Sequence, residues 1–286
     1  MIKNIDSSLF QNPFILFFLI ILTGIPCPAL AQERPLPFFP GERLTFELKW
    51  GVVPAGEAVL EVLPVEMIGG TQAYHFALTA TSNSFLDVFY KVRDRIDSYT
   101  DIPMTHSLLY KKKQHEGGTR RDIVVHFDWN KGEAAYTNYN RPKPPVKLLP
   151  GAFDPLAIFY HTRMMNMKVN TLLEHPVSDG RKTLMGEAKI TKRETISLSG
   201  KVYDTFLIEP ELKDIGGVFK KSKDSKIELW VTADERRIPV KIRSKVAVGS
   251  FVGELTSAVF NNSPPAINIP KRESNPQHLK PPRSNP

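Results

Sequence analysis

Gly41-Glu42-Arg43-Leu44-Thr45-Phe46-Glu47-Leu48-Lys49-Trp50-Gly51 sets apolar Leu44, Phe46, Leu48 and Trp50 against polar Thr45, Glu47 and Lys49. A period of two is that of a β-strand with one buried face, because successive side chains leave the backbone on opposite sides. Gly51 to Gly56 reads as a turn or bulge. Ala58, Leu60 and Val62 then alternate with Val59, Glu61 and Leu63, so the two runs form a hairpin. Gly69-Gly70 makes the next turn and leads into Tyr74, Phe76, Leu78 and Ala80, set between His75, Ala77 and Thr79.

Outward from these three strands, Ser84 to Tyr90 breaks the alternation with an apolar cluster suited to one or two helical turns or a loop over the sheet. Alternation resumes from Val92 to Thr100, and Ser107 to Gln114, Arg120 to Trp129 and Glu133 to Tyr139 read as further strands. Arg141 to Pro150 carries four prolines, which lack the N–H a central strand must donate, and is expected to be an extended crossing segment. Asp154-Pro155 is a helix start, an acid at the N-cap followed by proline at the first helical position. Leu156, Phe159, Tyr160, Arg163, Met164 and Met167 share one face of the helix predicted over Asp154 to Met167. The pattern is β again over Leu172 to Val177, Arg181 to Ser197, Lys201 to Glu209, Ser225 to Val231, Val240 to Ala247 and Phe251 to Phe260. The expected fold is mainly β, a curved antiparallel sheet or open barrel with one central helix, over residues 36–260 as a single domain. Two packed halves flanking the Pro-rich crossing are the alternative.

The ends of the 286-residue chain read differently. Phe14 to Leu22 is a short apolar run after Lys3 and before Ala29-Leu30-Ala31, the pattern of a secretory signal peptide over residues 1–31, cleaved after Ala31. A membrane anchor, or a lipoprotein acylated at Cys27, are the other readings of this segment. Cleavage after Ala31 removes Cys27, the single cysteine, and with it any disulfide, thiolate nucleophile or Cys-containing metal site. No later apolar run approaches the ~20 residues of a spanning helix. Residues 261–286 are rich in Pro and Asn and carry Lys271, Arg272, Lys280 and Arg283, the composition of a disordered basic tail. The expected location is the periplasm, where the formal charge of +8 has little occasion to meet nucleic acid. An anionic envelope surface is the partner that charge suggests.

The search for catalytic signatures finds no Gly-x-Ser-x-Gly elbow and no Ser-x-x-Lys. No His-Glu-x-x-His is present, and the six histidines from His75 to His175 are scattered. No metal and no cofactor is therefore expected. Asp94, Asp97, Asp101, Asp128 and Asp154 leave open a glycan-active enzyme with carboxylates drawn from distant strands. Gly216-Gly217 precedes Lys220-Lys221-Ser222-Lys223, read as a solvated hairpin tip.

Three features carry the functional expectation. Phe85, Leu86, Phe89 and Tyr90 with Phe159, Tyr160, Met164, Met165 and Met167 suit the mouth or lid of a hydrophobic cavity, methionine adapting to irregular apolar ligands. Ordinary core over a sheet is the plainer reading. Arg163, inside the helix's apolar stripe, must snorkel, pair with an acid, or meet an anionic ligand. Lys241, Arg243 and Lys245 give a basic strand face that is solvated, guards an edge, or faces an anionic lipid or glycan.

The segments Gly41 to Gly51, Ala55-Gly56-Glu57-Ala58, Asp97-Ser98-Tyr99-Thr100-Asp101, Asp154-Pro155-Leu156 through Arg163, and Leu229-Trp230-Val231-Thr232-Ala233-Asp234 with Ile238-Pro239-Val240 form a series along the chain. Together they resemble the domain-of-unknown-function 3108 family, exported bacterial proteins without an assigned activity, over roughly residues 40 to 260. The resemblance implies export and no catalytic residues. The Trp230-to-Asp234 hairpin with Ile238-Pro239-Val240 is also similar to the sheets of periplasmic lipoprotein carriers, whose curved half-barrel and helical lid shelter acyl chains. The expected function is a non-enzymatic binding or carrier protein for a lipid, lipoprotein or glycolipid; an envelope scaffold without a cavity is the alternative, and the oligomeric state is left open.

Overall fold

The computed structural model describes residues 35–211, 226–246 and 249–261. The expectations for the signal segment 1–31, the Lys220 to Lys223 tip and the tail from 262 onward lie outside them. The described strands are β1 (Glu42–Trp50), β2 (Val53–Ile68), β3 (Thr71–Ser82), β4 (Arg93–Asp101), β5 (Ser107–Glu116), β6 (Thr119–Asp128), β7 (Glu133–Asn138), β8 (Arg141–Pro142), β9 (Val146–Lys147), β10 (Leu172–Ser178), β11 (Thr183–Leu198), β12 (Lys201–Pro210), β13 (Lys226–Thr232), β14 (Pro239–Val246) and β15 (Gly249–Phe260). Helix α1 is the single turn Ser84–Asp87, and α2 is Ala157–Met164.

All the strands belong to one antiparallel sheet in the order β10-β11-β12-β13-β14-β15-β1-β2-β3-β4-β5-β6-β7-β8, with β9 also on β7. The opening strand β1 pairs with β2 on one side and with the final strand β15 on the other, so the halves flanking the Pro-rich crossing share a single sheet. The alternation seen in the sequence is the cause. Leu44 and Phe46 are buried, and register places them opposite Leu60 and Ala58, which extends the apolar face from strand to strand. The Pro-rich crossing sits where its chemistry allows, as the short edge strands β8 and β9. The turn after β1 is shorter than the sequence suggested, since β2 begins at Val53.

The sheet curves because its ladders are interrupted. Register shifts occur between Leu63 and Glu66, where Pro64 cannot donate, and between Ile190 and Lys192 and Trp230 and Val231 among others. Each extra residue bends its strand and adds twist. Among the described residues the end strands β10 and β8 do not pair with each other; the segment Ala152–Asp154 instead links β10 to the start of the interior strand β5. Ser107 N, at the start of β5, donates to Ala152 O, while Phe153 forms a parallel bridge to Val177 of β10. Asp154 fixes this seam. Its Oδ2 accepts Ser98 Oγ at 2.7 Å and Ser107 Oγ at 2.6 Å, and its Oδ1 accepts the Leu156 and Ala157 amides. Asp154 thus caps the turn that leads into α2, as its sequence position suggests, although the helix proper starts at Ala157 and ends at Met164 rather than Met167.

The main core lies under α2, where Tyr160 stacks on Phe76 with ring centroids 4.0 Å apart and Phe38 meets both edge-on. Smaller clusters lie around Ile190, Ile208 and Leu229, and around Val125, Phe127 and Tyr136.

Candidate functional site

Between α2 and strands β10 to β14 the structure leaves a groove of about 570 Å³. Its floor follows from strand register. Leu173, His175 and Val177 of β10 stand opposite Ala188, Gly186 and Leu184 of β11, and Ile208, Leu229 and Ile242 form a row across β12, β13 and β14. Residues two apart share a face, so these pairs make one surface, apolar except at His175. Small Gly186 and Ala188 keep that surface low beneath the helix. The roof is Pro155, Ile158, Phe159, Thr162 and Met165. Glu174, Lys182, Glu187 and Glu211, all exposed, border the groove with charge. An apolar trough with a charged border has the chemistry of a site for a molecule with an apolar body and a polar end.

The helix face that the sequence suggested for a cavity is for the most part not the face that lines the groove. Of Phe159, Tyr160, Arg163, Met164 and Met167, only Phe159 lines the groove. Tyr160 is wholly buried in the main core, Met164 packs against that core, and Met167 is buried in the cluster around Ile208. The stripe picked out by helical spacing is the core face, because the most apolar side chains give most by leaving water completely. The neighbouring flank, Ile158, Thr162 and Met165, faces the groove.

Arg163 is 1% exposed and is no ligand contact. Its guanidinium holds both oxygens of the buried Glu42 carboxylate, at 2.6 and 3.0 Å, and donates to the Pro37 and Arg236 carbonyls. Every charge in this pair is answered inside the protein. The other expected lid residues lie elsewhere. Phe85, Phe89 and Tyr90 flank or belong to α1, at the corner between β3 and β4, and are 59%, 74% and 49% exposed. None of them lines the groove.

The basic strand face is largely neutralised. Lys241 pairs with Glu254 and Arg243 with Glu228, and β14 is an interior strand between β13 and β15, so it guards no edge.

The dispersed acids are held in structural roles. Asp97 accepts hydrogen bonds from Arg95 and pairs with His75, and Asp101 caps the Thr105 and His106 amides. Asp128 pairs with exposed Lys131, and Asp154 sits in the seam. Asp94 is the exception: burial and a hydrogen bond with the Glu116 carboxyl push it up to about 6, at the β5–β6 end of the sheet and outside the groove. Among the described residues, no three His, Cys, Asp or Glu side chains gather as a metal-binding group. Two histidines distant in sequence do meet, His161 and His175, with ring centroids 4.4 Å apart. Burial, with His175 beside it, pushes the His161 imidazole down to about 4, so His161 is uncharged near neutrality.

The groove was recoverable from one signal only. Leu184, Gly186 and Ala188 alternate along a strand with diminished bulk opposite an apolar helix flank, which marks space rather than packing. Two comparisons with known proteins give matches. The model of a family described as "Protein of unknown function (DUF3108)" matches residues 45–256. No curated protein matches the sequence. Among solved structures, the crystal structure of a beta-barrel-like protein of domain of unknown function DUF1849 from Brucella abortus superposes with a TM-score of 0.51 at 10% identity, covering 80% of this chain and all of that one. At that identity the likeness is one of fold.

Proposed function

Since the chain belongs to the DUF3108 family, whose activity has no description to borrow, we propose from its own geometry that it is a non-enzymatic binding or carrier protein for an amphipathic ligand of the cell envelope. The supporting observation is the groove under α2, with Phe159, Leu184, Ile208 and Leu229 lining its interior and Glu174, Lys182 and Glu187 at its border. Its volume suits an acyl chain, and ligand sites of this kind are mostly apolar with a few polar groups that orient the ligand. The chemistry proposed is therefore sequestration: the protein removes a hydrocarbon tail from water and leaves the headgroup outside. The signal-like segment at residues 1–31 supports export to the periplasm, where such ligands occur.

Native mass spectrometry of the chain purified from cells, followed by organic extraction, tests this reading. A lipid or glycolipid of fixed stoichiometry is expected, and Leu184→Asp should lose it while the far-ultraviolet circular dichroism stays that of the parent. Empty spectra from folded protein, or a ligand retained by Leu184→Asp, would contradict it.

A further inference from the structure

Trp50, Val52, Phe85, Val88, Phe89 and Phe251, six of the large exposed apolar side chains, are gathered at one end of the sheet. Strand β1 ends at Trp50, β2 starts at Val53, β3 runs into α1, and β15 sets Phe251, near its start, opposite Trp50. Trp50 and Phe251 stack with centroids 6.4 Å apart, and Phe85 and Phe89 meet edge to face at 5.8 Å. Val52 is 92% exposed and Val88 77%. The Asn83 amide and side chain bond to the Ala55 and Pro54 carbonyls, so the β3–β4 corner is tied to the start of β2 and these tips form one rim. Soluble proteins rarely leave contiguous apolar tips of this kind in water without a partner.

Charge selects the partner. Lys91 follows the corner directly, and its carbonyl accepts Gly117 N of the β5–β6 tip, which carries Arg120 and Arg121. All three basic side chains are exposed and enter no ion pair among the described residues. Asp87 pairs with Arg93, and Glu254 with Lys49 and Lys241; Asp94 and Glu116 keep negative charge at the base of the β5–β6 tip, where the Asp94 side chain is 11% exposed and lies 3.9 Å from Lys112. Glu57 lies farther along β2 and is exposed. We propose that this rim docks the protein on an anionic lipid bilayer, its aromatic and valine tips entering the headgroup region and Lys91, Arg120 and Arg121 meeting lipid phosphates. Aromatic side chains prefer that interface, and basic residues beside it add attraction that salt weakens. A second copy of the chain is a poor occupant, because it would bring the same basic residues face to face. This inference uses none of the groove residues and stands apart from the carrier reading.

Vesicles test it. The chain purified from cells is sedimented with vesicles of equal parts phosphatidylglycerol and phosphatidylcholine, and with phosphatidylcholine alone, at low and high salt. Binding to the anionic vesicles that falls with salt is expected, with quenching of Trp50 by brominated lipid. The pair Phe85→Ser and Phe89→Ser should weaken binding about tenfold, and the pair Lys91→Glu and Arg120→Glu by at least as much. All four positions are surface positions, so unchanged thermal unfolding is expected to accompany the loss. Absence of vesicle binding overturns the proposal. So does binding that the rim variants leave intact, which would place the lipid contact elsewhere in the chain. Self-association that only the rim variants abolish, without vesicle binding, would make the surface a dimer contact instead.

Discussion

Arg163 on α2 and Glu42 at the start of β1, 121 residues apart in sequence, form a two-point ion pair in the interior, with side chains 2% and 1% exposed. The pair ties the roof of the groove to the central strand of the sheet. Replacing one partner leaves the other charge buried and unanswered, so Arg163→Met or Glu42→Gln is expected to cost about 3 to 5 kcal/mol in urea unfolding. The double variant Glu42→Leu with Arg163→Met should recover much of that loss, since two apolar groups leave no orphan charge. Additive losses in the double variant would contradict a coupled pair.

The packing of the β10–β11 turn against β6 depends on a missing side chain. Gly180, in the β10–β11 turn, has φ +77°, and a Cβ there would sit 2.6 Å from both methyl carbons of Val125 on β6. Gly180→Ala is therefore expected to lower stability through both left-handed strain and collision, by about 2 kcal/mol. Val125→Ala in the Gly180→Ala background should relieve the collision and leave the strain. If Val125→Ala only adds to the loss, the turn is not packed on β6 as described.

Asp94 gives the protein a pH-dependent element. Its carboxyl is held up to about 6 by burial, with the Glu116 hydrogen bond next, against an ordinary value of 3.8. The folded state then binds this proton more tightly than the unfolded chain does. The stabilisation it confers is complete below about 3.8 and is lost as pH rises through about 6. Asp94→Asn, which keeps a carbonyl to accept the His115 amide, is expected to flatten the change in midpoint between those pH values and to exceed the parent in stability at pH 7. Denaturant midpoints across that range check it, and parallel curves for parent and variant would refute the assignment.

The fold was legible because each strand announces itself locally. Leu44 to Trp50, Tyr74 to Ala80 and Leu229 to Val231 carry their pattern without reference to distant residues, and Asp154-Pro155 announces the approach to α2. The pairing of β1 with β15 and the seam at Ala152–Asp154 are relations between segments far apart, which no local period encodes. The site was less legible for a related reason. Apolar character is needed equally by a core and by a ligand groove, so Tyr160 and Met167 looked like Phe159 until the helix was placed against its sheet. Arg163 shows the same limit: its environment had to be special, and only the structure identifies Glu42 as its partner. Phe85 and Phe89 looked apolar enough for a lid, yet the turn at Asn83 carries them to the exposed end of the sheet.

The central claim is that hydrocarbon lies in the groove beneath α2. A crystal grown with 12-bromododecanoic acid tests it most directly, because anomalous scattering locates the bromine without interpretation of weak density. The expected peak lies among Phe159, Leu184, Ile208 and Leu229. Bromine found only at the Phe85 and Phe89 rim, or no ordered bromine in crystals soaked to saturation, would contradict the claim.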